Sequence, residues 1–134
     1  MTATLTRDSV LSMPAGREMD VLMAERVMGW TVKDDCYYSN GEITPWMTPE
    51  HWGDYQGFRP STDIAAAWEV MEKLCDLYQG LGKMFLHQHP DGWEAGSCDL
   101  EVNSGEWLVE ESATGSTPML AICRAALLMT LGDV

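Results

Sequence analysis

The sequence WEAGSCDLEVNSGEWLVEESATGSTPMLAICRAALLMTL, from Trp93 to Leu131, decides the fold class of this protein. Apolar and acidic side chains alternate from Cys98 to Val102, which is the pattern of a half-buried β-strand. Asn103 to Gly105 then supplies the residue types of a hairpin connection to a following strand. With the residues just before it, this stretch predicts three strands of an antiparallel sheet, at Lys83 to His89, Trp93 to Val102 and Glu106 to Glu111.

The same stretch ends in a predicted helix from Pro118 to Leu131. Thr117 can cap its amino end, proline is favoured at the first helical position, and Gly132 is a natural stop. Only Arg124 and Thr130 interrupt its apolar surface. A helix that is apolar on nearly all sides is either enclosed by its own domain or covered by another subunit. For a domain this small we expect a homo-oligomer formed through this C-terminal helix.

Two more helices are predicted towards the amino terminus. Apolar residues recur at helical spacing from Arg17 to Met28 and, more clearly, from Thr62 to Gln79. Residues 1–16 are interpreted as a flexible arm, and residues 30–60, rich in turn-forming residues, as a long loop without regular structure. The prediction is therefore a single α+β domain over residues 17–134, with about three helices packed against a short antiparallel three-stranded sheet.

Composition and charge limit the classes of function. The chain has 134 residues, 46% hydrophobic and 22% charged, so it can bury a core without external crosslinks. Its four cysteines include no CxxC pair, which favours reduced thiols in the cytoplasm. A formal net charge of −13 disfavours binding to a nucleic-acid backbone. The first residues lack the apolar segment of a signal peptide, and no apolar run is long enough to cross a membrane.

Three blocks of the chain resemble the phage ABA sandwich domain family, which is found in phages and prophages. These blocks are REMDVLMAERVMGW (Arg17 to Trp30), PSTDIAAAWEVMEKL (Pro60 to Leu74) and TPMLAICRAALL (Thr117 to Leu128). The resemblance implies a viral or prophage origin, and hence a place in the cytoplasm of an infected bacterium. It also implies a layered α-β-α arrangement, and it brings no catalytic residue.

Aromatic side chains are concentrated in the predicted loop. Seven of the twelve aromatic residues fall between Trp30 and Phe58, with Lys33 and Arg59 nearby. Flat rings with a few cations suit a stacked base and its phosphate, although large side chains in a long loop are as often anchors for the loop itself. The predicted ligand-binding residues are Trp30, Lys33, Tyr37, Tyr38, Trp46, Trp52, Tyr55, Arg59, Ser61 and Thr62.

Two helix amino termini are candidate anion sites, since free backbone N–H groups and hydroxyls can bind phosphate there. One lies at Arg59 to Thr62 and the other at Gly115 to Thr117. Ordinary helix capping is the alternative at each, and Asp63 opposes an anion at the first.

A metal pair is the third candidate site. His87 and His89 lie on one face of a predicted strand, and Asp91, Cys98 or His51 could complete a set of ligands. The spacing matches no established ligand pattern, so edge histidines are the alternative. No cofactor is predicted.

These features support a leading hypothesis and two alternatives. The leading one is a non-enzymatic phage counter-defence protein that sequesters a small nucleotide-derived immune signal, without turnover, in a pocket completed by a second subunit. The first alternative is an acidic inhibitor of a host protein, which would imitate DNA with the face that carries Asp99, Glu101, Glu106, Glu110 and Glu111. The second is a metal-dependent enzyme that uses His87 and His89.

Overall fold

The computed structural model describes residues 5–48, 57–77 and 82–131. These residues form four helices and two three-stranded antiparallel sheets, so the predicted α+β class is confirmed. The helices are α1 (Arg7–Ser12), α2 (Arg17–Leu22, continued by a π-helical turn at Met23–Val27), α3 (Ile64–Leu77) and α4 (Pro118–Leu131). The strands are β1 (Thr31–Lys33), β2 (Cys36–Ser39), β3 (Glu42–Met47), β4 (Gly82–His89), β5 (Gly92–Glu101) and β6 (Glu106–Gly115).

Helix α4 lies at the centre of the fold. It contacts strands β4, β5 and β6 on one side, and on others helices α1 and α3 and the π-helical turn that follows α2. Its buried residues are Leu120, Ala121, Ile122, Cys123, Ala125, Ala126, Leu127, Leu128 and Met129. The apolar surface that suggested self-association is thus enclosed within one chain, because a helix apolar on all sides can be satisfied by its own domain. The apolar surface of α4 therefore gives no support to self-association through this helix, which stays a prediction.

The predicted loop contains the first sheet, β1–β2–β3, which the sequence interpretation missed. Asp34 and Asp35 join β1 to β2, and Asn40 and Gly41 join β2 to β3, all four with positive φ. Two successive positive φ angles define the type I′ turn, whose backbone twist matches a two-residue hairpin. Asn-Gly is the strongest short signal for that turn, so Asn40-Gly41 could have revealed the hairpin.

Residues 7–13, part of the predicted flexible arm, pack on the body of the protein. Thr6 and Ser9 form reciprocal capping hydrogen bonds at the start of α1. Val10 is completely buried and Met13 nearly so, and both belong to the hydrophobic core. A six-residue helix is too short to show a clear period in sequence, which is why packing alone reveals it.

Val10→Ala is expected to lower the free energy of unfolding by about 1–2 kcal/mol, because it removes buried methyl groups from the core. The matched control is Leu11→Ala at the neighbouring exposed position, expected to change stability by less than about 0.5 kcal/mol. Urea denaturation of both variants checks the difference. Equal effects would contradict the docking of α1.

Candidate functional site

The aromatic side chains of the predicted ligand-binding loop pack on one another. The Phe58 ring centroid lies 4.8 Å from that of Trp30 and 5.5 Å from that of Trp46, with both pairs edge-on. The buried Tyr37 ring contacts the same cluster, 5.5 Å from Trp30. Such pairs add about 0.5–1.5 kcal/mol each beyond the burial of apolar area. These four rings therefore anchor the first sheet, which is the structural alternative that the sequence left open.

Trp46 also contacts helix α3, and the remaining predicted ligand residues of this loop are Lys33, Tyr38, Trp52 and Tyr55. Trp46 donates its indole N–H to Glu69 Oε2 of α3 at 2.7 Å, which ties the first sheet to that helix. Tyr38 is half-buried on β2 and Lys33 is exposed on β1, while Trp52 and Tyr55 lie outside the described residues. A part for these residues in ligand binding stays a prediction. Tyr37, by contrast, is enclosed by the core and has no surface for a ligand in this conformation.

The predicted anion site before α3 is occupied by the protein itself. The backbone N–H of Ser61 donates to Asp20 Oδ1 at 2.8 Å, and the Ser61 hydroxyl accepts the N–H of Gly16 at 3.0 Å. Ser61 and Asp20 are both buried, and the positive charge of Arg59 acts on the Asp20 carboxylate. The polar atoms of Ser61 therefore hold α2 against this turn and are not available to a ligand.

Helix α3 begins at Ile64, two residues later than predicted. Asp63 Oδ1 accepts the N–H of Ala65 at 3.3 Å, so Asp63 is the cap, whereas Ser61 is buried and Thr62 is exposed in the preceding turn. Aspartate at this position places a negative charge at the amino end of the helix, where it opposes an anion.

Burial also governs the titratable groups around Asp20. Desolvation raises the pKa of Asp20 to about 6, against the opposing effects of the Ser61 hydrogen bonds and the Arg59 charge. Burial, with a contribution from Asp20, raises the pKa of the Cys123 thiol well above its usual value. All four cysteines are free thiols, and Cys123 is held in its unreactive protonated form.

A cleft of about 440 Å³ lies where the second sheet meets the start of α4. It is formed by the turn between β4 and β5, the end of β6 and the second turn of α4. The residues that line it are His89, Asp91, Gly92, Trp93, Thr114, Gly115, Ser116 and Arg124. Its volume falls within the range of about 300–1,000 Å³ that is usual for small-molecule sites.

Arg124 is the cationic residue of this cleft. Its Nε and one terminal nitrogen donate to the Met13 carbonyl at 3.2 and 3.0 Å, and the other terminal nitrogen donates to the Thr114 carbonyl at 2.9 Å. Within residues 5–48, 57–77 and 82–131, no carboxylate forms an ion pair with it. The guanidinium is therefore oriented by neutral carbonyl groups and not by a described carboxylate.

The helix end at the cleft is already capped. The Thr117 hydroxyl accepts the N–H of Leu120 at 3.1 Å, and Pro118 has no N–H to offer. The second predicted anion site thus contributes Gly115 and Ser116 to the cleft wall, and the positive charge comes from Arg124.

The two predicted metal ligands lie side by side, and one of them, His89, lines the cleft. The rings of His87 and His89 lie 4.5 Å apart, and His89 Nε2 is 2.7 Å from Glu94 Oε1. This hydrogen bond lowers the pKa of Glu94. Among the described residues, no group of three or more His, Cys, Asp or Glu side chains is placed to hold a metal ion, and His51 lies outside them.

Comparison with known proteins agrees with the fold. The sequence model of the phage ABA sandwich domain matches residues 21–127. The chain belongs to this family. A solved structure described as the 2.0 Å crystal structure of a phage protein from Bacillus cereus ATCC 14579 is similar, with a TM-score of 0.54 and 18% identity over 98% of this chain and 93% of that chain. None of the curated proteins to which the chain was compared matches it.

In this phage ABA sandwich protein, the eight predicted ligand residues that the structure describes and the cleft residues form two separate sets. Sequence patterns drew attention to His89, Asp91, Gly115 and Ser116, but as parts of different sites. In the sequence, Arg124 stands out only as an interruption of an apolar helix. A lone arginine in an otherwise apolar helix is costly to bury unless it has partners, and that signal could have identified it. The described part of the chain also includes no helix of sufficient length and apolarity to span a membrane.

Proposed function

We propose that this protein captures a small nucleotide-like anion in the cleft beside Arg124, without turnover. The observation that carries the proposal is the oriented Arg124 guanidinium, which lines a ligand-sized cleft and has no carboxylate partner in the described residues. Membership of a phage family supports a nucleotide-derived immune signal of the infected bacterium as the ligand, and hence a counter-defence role.

The other walls of the cleft suit different parts of such a ligand. Trp93 offers an aromatic surface on which a base can stack, an interaction worth about 1–3 kcal/mol. Ser116 offers a hydroxyl close to the start of α4. Asp91 lies on the same wall as His89 and repels an anion, so we expect the phosphate beside Arg124 and a sugar or base donor near Asp91.

Local charge decides whether capture is possible on a protein of net charge −13. A phosphate that leaves water needs charge-assisted hydrogen bonds, and an arginine fork supplies them bidentately. Arg124 forms three hydrogen bonds to two carbonyl groups, and these restrict its rotamers before the ligand arrives. The entropic cost of binding is lower as a result.

Titration calorimetry with cyclic dinucleotides and cyclic ADP-ribose isomers tests the proposal. Arg124→Gln is expected to weaken binding of the active compound at least about tenfold, since it removes one charge-assisted contact of about 1.5–3 kcal/mol. The matched control is Arg7→Gln, which changes the net charge equally but alters only an exposed ion pair with Glu111 outside the cleft. The affinity of this control for the active compound should be within about twofold of that of the unmodified protein.

Two further results would reject this assignment. No binding of any compound in the panel would remove the capture hypothesis. Loss of binding in Lys33→Gln, with Arg124→Gln unaffected, would place the ligand at the first sheet, as the sequence predicted. Lys33 is exposed, so its substitution leaves the core intact. Thermal unfolding of each variant, measured in parallel, separates loss of binding from loss of fold.

A further inference from the structure

The tip of the β5–β6 hairpin exposes an unusual amount of apolar surface. This hairpin tip is defined as residues 99–110, which include the end of β5, the connecting turn and the first half of β6. All five residues from Glu106 to Glu110 are exposed. The exposed fractions of the large apolar side chains are 70% for Val102, 45% for Trp107, 47% for Leu108 and 59% for Val109. Clustered exposure of this kind marks an interaction surface.

Strand register sorts the hairpin tip into two faces. Leu100 pairs with Trp107 and Cys98 with Val109, so these apolar side chains share one face. Asp99 pairs with Leu108 and Glu101 with Glu106, which places the acidic groups, together with the exposed Leu108, on the opposite face. A partner that lies along β6 therefore meets Trp107 and Val109 on one side, and on the other side carboxylates with Leu108 between them.

β6 is an edge strand, since the order of its sheet is β4-β5-β6. Its outer backbone N–H and C=O groups face away from β5 and can pair with an added strand. Natural edge strands are usually protected by charge, shortness or a covering element. Here the carboxylates supply the charge, and yet the strand is ten residues long and keeps its apolar side chains exposed.

The charge of the hairpin tip selects the partner. Residues 99–110 contain Asp99, Glu101, Glu106 and Glu110 and no Lys or Arg. A second copy would bring the same carboxylates to the same edge, and like charges facing each other across strands are destabilising. A basic segment would instead place its cations against these carboxylates.

Trp107 already accepts a cation in this structure. The Lys83 ammonium lies 4.1 Å from the centroid of the Trp107 ring, a cation–π distance. The part of Trp107 that stays exposed is left for an apolar side chain of a partner, because the partner's cations would face the carboxylates on the opposite face.

We propose that the hairpin tip binds a basic, extended segment of a partner protein, which adds as a strand to the outer edge of β6. The segment would alternate basic and apolar residues, because the two faces of the hairpin tip require that alternation. This site lies at the opposite end of β5 and β6 from the cleft, where Trp93 pairs with Gly115, so it does not depend on the proposed ligand.

Fluorescence anisotropy with labelled ten-residue peptides tests the proposal on the full chain. The probe alternates Lys and Val; a second peptide alternates Glu and Val; a third is the Lys-Val peptide with proline at two central positions. Only the first peptide is expected to bind saturably. Its affinity should fall at least about fivefold when the salt concentration rises from 50 to 300 mM. The proline peptide keeps most of the charge but cannot donate the ladder hydrogen bonds. Equal binding of the first and third peptides would overturn strand addition.

Variants locate the site. The double substitution Val109→Thr and Trp107→Thr is expected to lower the affinity for the Lys-Val peptide at least about tenfold. Glu106→Lys is expected to lower it about fivefold. The matched controls are Ile43→Thr and Glu42→Lys, exposed positions on β3 of the first sheet, which should leave binding within about twofold. Unchanged binding in the β6 variants would overturn the proposal. So would a dimer in sedimentation that the β6 substitutions dissociate, because a second copy would then be the occupant.

Discussion

Gly96→Ala is expected to lower the free energy of unfolding by about 3 kcal/mol or more, one of the largest effects of a single methyl group in this protein. A Cβ at Gly96 would overlap the carbonyl oxygen of Glu111 and would lie 2.9 Å from both Ser112 Cα and Phe85 Cε2. Two of these three neighbours are backbone of the paired strand, which cannot move without breaking the β5–β6 ladder.

The position of Gly96 explains why it cannot relax. It pairs with Ser112 immediately before the irregularity of register between Ser97 and Cys98. At such a bulge the strands twist more strongly and approach more closely, which is where a glycine within a strand commonly marks close backbone contact. Because α4 packs on β5 and β6, any separation of the strands also disturbs the core.

Urea denaturation checks this expectation, with Gly105→Asn as the control. Gly105 lies in the turn of the same hairpin at φ +74°, and a Cβ there would meet nothing within 4 Å. Asparagine tolerates that conformation, so a cost of no more than about 1 kcal/mol is expected. A Gly96→Ala variant as stable as the Gly105→Asn variant would show that the strands are not held at this distance.

Asp20→Asn is expected to raise stability at pH 8 by about 1–3 kcal/mol and to flatten its pH dependence. Burial raises the pKa of Asp20 to about 6, so the folded state holds a proton that the unfolded state has lost between about pH 4 and pH 6. Asp20 therefore contributes to the free energy of unfolding at low pH, and this contribution is lost as the pH rises through about 6. An asparagine keeps the carbonyl oxygen that accepts the Ser61 N–H without the buried charge.

Asp20→Ala is expected to lower the free energy of unfolding instead. It leaves the buried Ser61 N–H without its acceptor, a loss of about 1–3 kcal/mol. The measurement is urea denaturation of all variants from pH 4 to pH 8, with Asp35→Asn at an exposed turn position as the control. If Asp20→Asn kept the pH profile of the unmodified protein, the carboxyl group would not be the titrating group.

Predictions from sequence were accurate for elements with local periodicity. The hairpin of β5 and β6 and the helices α3 and α4 lie within a few residues of their predicted bounds, because alternation, capping residues and stop signals are local properties. The first sheet was missed although Asn40-Gly41 marks its turn, since its strands are short and irregular. α1 gave no signal because it has only six residues.

Site residues were harder to predict than elements. Aromatic residues in a loop can line a pocket or fill a core, and composition is the same in both cases. The sequence could not show that Phe58 lies between Trp30 and Trp46, or that Ser61 pairs with Asp20. It also could not show that Arg124 turns towards β6 and the segment before α2.

Residue order is sufficient to predict the α+β class, the family, the acidic character and the alternating hairpin, because each depends on residues that are near neighbours or on a sum over the chain. Tertiary structure alone decided which rings became core, which polar groups were satisfied internally, and where a cation meets a cleft. Those outcomes rest on contacts between distant positions, 41 residues apart for Ser61 and Asp20 and 111 for Arg124 and Met13. A side chain's chemistry is local, but its exposure is set by whichever distant segments pack against it.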